Sequence, residues 1–282
     1  MSFENIIYEK RKEVVRISLN RPEKLNAMND VMLEEFNAAL DQAEADTDVT
    51  AIIIKGTGRA FCSGYDVSGE GTAETDFDFR TQSDVNTLFR KQRRRQESIF
   101  KLARYSKSTI AQVHGNCVEM GCSLVMACDI SFADENAQFC EPSVRMGLTT
   151  DMPLWYHLIG VRNAKEMLLT GKTIDGREAE RIGIITKAVP ADMLEQEADE
   201  MALTVSLTPF DGLTNNREGF QMGADARGVA EGWRSSSDRR VFGILQRPGS
   251  RAGEFDFLET RDKKGLKAAL EEMNAPYRRY GY

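Results

Sequence analysis

The chain has 282 residues, 41% hydrophobic and 29% charged, an ordinary profile for a folded domain with an ample core. Its formal net charge of −7 argues against a general nucleic-acid binder, which would present a basic face. The five cysteines (Cys62, Cys117, Cys122, Cys128, Cys140) form no C-x-x-C pair, the two histidines sit in nothing like a metal cluster, and there is no leader-like or long apolar span, so reduced thiols, no metal and no membrane segment are expected of a cytoplasmic protein.

The first 56 residues read as strand, strand, helix, strand. Val14-Val15-Arg16-Ile17-Ser18-Leu19 alternates like a half-buried strand, and the charged stretch at 10–13 suits a hairpin turn before it. Asn29 can cap a helix whose stripe is Met32, Leu33, Phe36, Ala39, Leu40 and Ala43. Ala51-Ile52-Ile53-Ile54 is a continuous apolar run, as in a strand covered on both faces. Strands alternating with helices predict an α/β core. Residues 68–84 are rich in Gly, Thr and Asp and predict a mobile loop. The next helix places Val85, Leu88, Phe89, Gln92, Ile99 and Ala103 largely on one face. Its run Arg90-Lys91-Gln92-Arg93-Arg94-Arg95 reads as a solvated face laced with salt bridges, with phosphate contact by one or two arginines as the alternative.

Thr109-Ile110-Ala111-Gln112-Val113 predicts a further strand, followed by a helix over 121–128 and a strand over 130–133. Asp175 and Glu178 have the spacing of a capping box opening a helix toward Ile182. An acidic amphipathic helix is expected over 190–206, a partly helical stretch with a Pro248-Gly249 break over 208–253, and one terminal helix over 256–273 carrying Phe257, Leu258, Leu266 and Leu270.

Several segments together resemble the crotonase, or enoyl-CoA hydratase/isomerase, superfamily over nearly the whole chain. They are Leu19-Asn20-Arg21-Pro22-Glu23-Lys24-Leu25-Asn26-Ala27, Arg59-Ala60-Phe61-Cys62-Ser63-Gly64-Tyr65-Asp66, Val113-His114-Gly115 leading to Gly121-Cys122, Ala127-Cys128-Asp129-Ile130, Ala137-Gln138-Phe139, and Leu168-Leu169-Thr170-Gly171-Lys172-Thr173-Ile174 with Ala179 and Gly183 beyond. The resemblance implies an α/β fold, a crotonase-like spiral of β-β-α units over 1–190, followed by a helical trimerisation region over 191–282 that builds a homotrimer or a hexamer. It also implies a CoA thioester as substrate, with no metal and no other cofactor. By matching positions, the amides of Cys62 and Met120 would form an oxyanion hole, and Lys24, Leu25 and Ala27 with Ser63, Gly64, Tyr65 and Asp66 would line the CoA groove.

That chemistry has a physical basis. A thioester carbonyl gains negative charge on becoming an enolate or a tetrahedral adduct, and fixed amides in a dry site stabilise that charge more in the transition state than in the ground state. Backbone donors tolerate varied side chains, so Cys62 and Met120 can serve. Gly64 permits a tight turn, and the helix beginning near Gly121 aims its positive end at the oxygen. Cys62 has no histidine near in sequence, which argues against a nucleophile.

The pattern also breaks. Hydratases of this family place glutamates where this chain has Ser123 and Ser143, and an unaided hydroxyl is no general base near neutral pH. Slow hydration of ordinary enoyl-CoA esters is therefore expected. Gly147-Leu148-Thr149-Thr150-Asp151 is similar to the Gly-Leu-x-x-Asp of dienoyl-CoA isomerases, and Asp151 also matches the nucleophile of aryl-CoA dehalogenases. A helix N-cap ahead of Pro153 is an equal and compatible reading of Asp151. Glu119 borders the turn before Met120 and is expected at the surface, with a proton-transfer role as the alternative, and Glu141 is expected to face away from Ser143 or toward a neighbouring subunit. His114 suits a hydrogen-bonded strand end. Three functions stay open: an enoyl-CoA hydratase/isomerase-type enzyme with an unusual acyl group, an Asp151-dependent acyl- or aryl-CoA hydrolase or dehalogenase, and a catalytically silent acyl-CoA-binding protein. The terminal Pro276-Tyr277-Arg278-Arg279-Tyr280 reads as a frayed tail or a contact to CoA phosphate.

Overall fold

A computed structural model describes residues 3–68, 84–150, 153–246 and 253–280. It begins with a hairpin of β1 (Ile6–Arg11) and β2 (Val14–Leu19), whose turn puts Lys12 at φ +55°. α1 (Asp30–Ala45) starts where Asn29 Oδ1 accepts from the Met32 amide at 2.9 Å, and all six residues of the expected stripe are buried.

A repeating step then builds the molecule. β3 (Ala51–Gly56) is followed by β4 (Ala60–Cys62) and α2 (Val85–Ala103). β5 (Ser108–Val113), β6 (Asn116–Val118) and α3 (Met120–Ala127) repeat the pattern. β7 (Ile130–Asp134) and β8 (Gln138–Cys140) follow, ending in a 3-10 turn over Pro142–Met146. The first strand of each pair joins a six-stranded sheet ordered β1-β2-β3-β5-β7 and, at its edge, β10 (Lys187–Val189). The second strand joins a four-stranded sheet ordered β4-β6-β8 and then β9 (Thr173–Ile174). Within each sheet the successive steps run parallel, so the chain climbs both sheets at once as a β-β-α spiral. α4 (Leu154–Leu158), α5 (Gly160–Thr170) and α6 (Gly176–Ile182) complete this part. The Asp175 carboxylate caps α6 by accepting from the Glu178 amide at 2.8 Å.

The continuous apolar run of β3 needs two cores, and it has them. Ile52 and Ile54 enter the main core with α1, while Ala51 and Ile53 enter a second one with Leu194, Ala198 and Ala202 of α7 (Leu194–Ser206). α8 (Phe210–Ala226), α9 (Val229–Gln246), α10 (Phe257–Lys264) and α11 (Leu266–Arg278) finish the chain. Leu88 of α2, Leu148, Val241 and Ile244 of α9, Phe257 and Leu258 of α10, and Met273 of α11 form a third cluster, so the last helices fold back over α2.

The single terminal helix expected over 256–273 is two helices. Asp256 caps the first, and Gly265 at φ +86° breaks the axis before Leu266, a conformation a side chain would resist. The tail is docked as well: α11 runs through Pro276, and the Arg145 guanidinium lies 4.1 Å from the Tyr277 ring centre. Most of the loop expected at 68–84 and the Pro248-Gly249 break lie outside the described residues.

Candidate active site

Two loops meet at the ends of the small sheet. The first holds the 3-10 turn Pro22–Lys24, then Leu25 and Asn26 at φ +52° and +55°. Asn26 is fully buried; its side chain accepts from the Arg21 amide at 2.9 Å and donates to the carbonyls of Thr57 (2.9 Å) and Ala60 (2.8 Å). The second loop follows β4. The Ser63 amide donates to Leu25 at 3.1 Å, Met28 to Gly64 at 2.8 Å, and Asp66 to Met28 at 3.0 Å. Ser63 Oγ reaches the Lys24 carbonyl at 3.4 Å. Lys24, Leu25 and Ala27 are thus brought against Ser63, Gly64, Tyr65 and Asp66. The Arg21 guanidinium spans both loops, donating to the Ala27 carbonyl and pairing with Asp66 at 3.1 Å. Burial opposes the charge on Asp66, but the hydroxyl and amide of Ser68 and the Arg21 guanidinium hold its carboxyl below the usual carboxylate range.

Gly64 and Gly121 make the next contact possible. Gly64 has φ +97°, and a Cβ there would lie 3.1 Å from Glu119 Cβ. A Cβ on Gly121 would lie 2.7 Å from the Cys62 carbonyl oxygen, so only glycine lets the start of α3 rest on β4. Here two main-chain amides converge: Tyr65 at 3.0 Å and Met120 at 2.8 Å, both on one oxygen, Oε2 of Glu119.

The amide that joins Met120 is therefore that of Tyr65 and not that of Cys62. Cys62 still lies within β4, in ladder register with Cys117, and the chain must pass the left-handed turn at Gly64 before an amide swings toward α3. Burial pushes the Cys62 thiol up to about 12, which keeps it protonated at neutral pH.

Glu119 is not at the surface. It is 7% exposed, and its Oε1 accepts from Arg240 of α9, itself 1% exposed, at 2.9 Å. Arg240 also donates to the Thr149 carbonyl at 3.1 Å. The Glu119 backbone sits at φ 50°, ψ −104°, a strained conformation for any residue with a side chain. Sequence reasoning missed Arg240 and its partnership. The available signal was a cation within the stripe Val229, Trp233, Ser237, Arg240, Val241, Ile244, since a buried cation requires an anion.

Glu141 is buried too, and it faces Ser143 rather than away: its Oε1 accepts from the Ser143 amide at 3.1 Å. Burial, then the neighbouring Glu119 charge, push its carboxyl well above the usual range, with Ser143 and Arg240 opposing. Ser123 and Ser143 are both buried, and Ser143 Oγ has no hydrogen-bond partner among the described residues. Asp151 lies outside the described residues. The arginine run divides: Arg90, Arg93 and Arg94 are solvated and paired with Asp84, Asp238 and Glu34, whereas Arg95 is buried, pairs with Asp30 and stacks 4.6 Å from the Tyr65 ring centre. His114 Nε2 meets the Gly58 carbonyl at 2.9 Å at a strand end. Among the described residues no three His, Cys, Asp or Glu side chains cluster as a metal site requires, and no helix is long and apolar enough to cross a membrane.

The profile of the family described as enoyl-CoA hydratase/isomerase matches residues 9–264. This chain belongs to the enoyl-CoA hydratase/isomerase family. As a member of that family it is an enzyme with a crotonase fold. It is 35% identical over 209 residues to a protein named probable enoyl-CoA hydratase from Mycobacterium bovis, covering 73% of this chain and 77% of that one. A protein of the same name from Rhizobium meliloti is 30% identical over 281 residues, 99% of either chain. The crystal structure of an enoyl-CoA hydratase/isomerase from Xanthobacter autotrophicus Py2 superposes with a TM-score of 0.88 at 30% identity, covering 98% of this family member and 99% of the other.

Proposed function

We propose that this chain processes acyl-CoA thioesters by stabilising the charge on the thioester oxygen between the main-chain amides of Tyr65 and Met120. One observation carries the reading. Two amides from separate elements, at 3.0 and 2.8 Å, already converge on a single oxygen atom, the geometry a developing oxyanion requires. The 24–28 and 63–66 loops, clamped together by Asn26 and Arg21, supply the wall for the CoA moiety. The CoA ester is the substrate, and the chemistry drawn on here needs no further cofactor.

Simple hydration is not the reaction this site favours. Ser123 and Ser143 stand where the resemblance to the family's hydratases implies glutamates, and general acid–base assistance is worth roughly 10²–10⁴-fold. The test is a binding and turnover panel. Straight-chain and aryl acyl-CoA esters should bind, while crotonyl-CoA hydration should run at least about 10²-fold below a hydratase assayed beside it. Failure of every ester to bind, or brisk crotonyl-CoA hydration, would end this reading. Exposed Leu207, Phe210, Phe220 and Met222 on and before α8 support self-association as a trimer or hexamer, which light scattering on the eluting protein would check.

A further inference from the structure

The amide pair already holds an anion. Glu119 Oε2 takes both donors, and Arg240 grips Oε1. A thioester oxygen needs the same two donors, so the carboxylate and the substrate carbonyl cannot occupy the spot together. Glu119 directly precedes Met120 in the chain, so its side chain cannot go far when displaced. A side chain so tethered, once off the amides, stays near the oxygen they hold.

We propose that Glu119 is the catalytic base and acid of this site: its carboxylate yields the amide pair to the thioester oxygen and takes a proton from the carbon next to the thioester carbonyl. The proposal rests on the acyl-CoA reading above. The C–H bond breaks and an O–H bond forms on Glu119. The released electron pair makes a carbon–carbon double bond, and the carbonyl π pair moves to the oxygen held by Tyr65 and Met120. Return of the proton to the same carbon gives exchange. In a chain with a double bond one carbon further out, return to the far end of the conjugated system gives isomerisation. Atoms and electrons balance in both, and no co-reactant is needed.

Two observations point to Glu119. Among the described residues Glu119 is the carboxylate bonded to these amides. Its strained backbone and buried Arg240 partner hold it at this spot, as strain is held at reacting centres.

The experiment follows proton exchange in deuterated water, with phenylacetyl-CoA and trans-3-hexenoyl-CoA as probes and butyryl-CoA binding measured by calorimetry. Wild type should exchange the protons next to the carbonyl. E119A and E119Q should lose roughly 10²–10⁴-fold of that rate. E119A, with the competing anion gone, should bind butyryl-CoA at least as tightly as wild type. E119Q keeps an acceptor for Arg240 and guards against a folding failure of E119A, checked by circular dichroism. Exchange within threefold of wild type, or faster, in either folded variant makes Glu119 a mere plug and overturns the proposal. A wild type that binds the esters yet exchanges nothing overturns the base assignment and leaves the acyl-CoA reading standing. One that binds no ester overturns both.

Discussion

Replacing Arg240 with Met would leave the Glu119 carboxylate in a dry interior without its counter-ion. The side chains of Arg240 and Glu119 are 1% and 9% exposed, and their closest atoms are 2.9 Å apart. Removing one partner of such a pair costs about 3–5 kcal/mol. Glu119 keeps the Tyr65 and Met120 amides, which places the loss near the lower end, about 3 kcal/mol. At about 2–4 °C per kcal/mol for a chain of this size, Arg240→Met should lower the melting temperature by about 6–12 °C. Glu119→Gln in the same background removes the stranded charge, so the double variant should be less destabilised than the sum of the singles by about 2 kcal/mol. The lost bond to the Thr149 carbonyl is common to both arms and cancels. Thermal and urea unfolding of the four proteins measures the cycle. A melting point within about 2 °C of wild type for Arg240→Met, or strict additivity, would refute the account of a buried pair that must be kept neutral together.

Three further outcomes follow from the geometry. Glu141 has a folded carboxyl raised above its unfolded value, so its burial costs stability above the folded pKa, and the cost fades as pH falls toward the unfolded value; Glu141→Gln should therefore stabilise more at pH 8 than at pH 5, and equal gains by thermal unfolding at both would contradict this. Gly121→Ala places a Cβ 2.7 Å from the Cys62 carbonyl, so it should cost about 1–3 kcal/mol by overpacking. It should also slow turnover of any acyl-CoA substrate at least roughly tenfold by moving the Met120 amide, and steady-state rates at wild-type level would show that α3 can shift freely. A disulfide reagent applied to the native protein near neutral pH should leave Cys62 unmodified, because burial keeps its thiol protonated; rapid labelling at that residue by mass spectrometry would overturn the dry packing described here.

What the sequence disclosed follows the range of the forces involved. The Asn29 cap lies three residues from the amide it accepts, and the α1 stripe repeats within one helix, so both were legible locally. The run Ala51-Ile52-Ile53-Ile54 announced a strand with two covered faces because every residue type along it is apolar. Gly64 and Gly121 were legible as pattern, but which amide comes beside that of Met120 depends on the left-handed bend at Gly64, and it is the amide of Tyr65 where that of Cys62 was expected. Glu119 looked like a surface acid because its counter-ion lies 121 residues away in the stretch hardest to read. Glu141 was misjudged for a related reason: its environment is made by Glu119 and Arg240, which converge only in the folded chain. Gly265 was overlooked as a breaker because apolar spacing continues on both sides of it.

The placement of α7 sets a lower limit on how short a piece of this chain could be and still stand by itself. Leu194, Ala198 and Ala202 seal the side of the large sheet formed by Val14, Ala51, Ile53, Ile110, Phe132 and Val189. Arg16 bonds to Asp199, and the hydroxyls of Thr50 and Ser206 meet at 2.6 Å. A fragment stopped at residue 190 would bare that greasy side to water and clump with its copies, so any trimmed version meant to stay dissolved has to retain the polypeptide at least as far as Ser206.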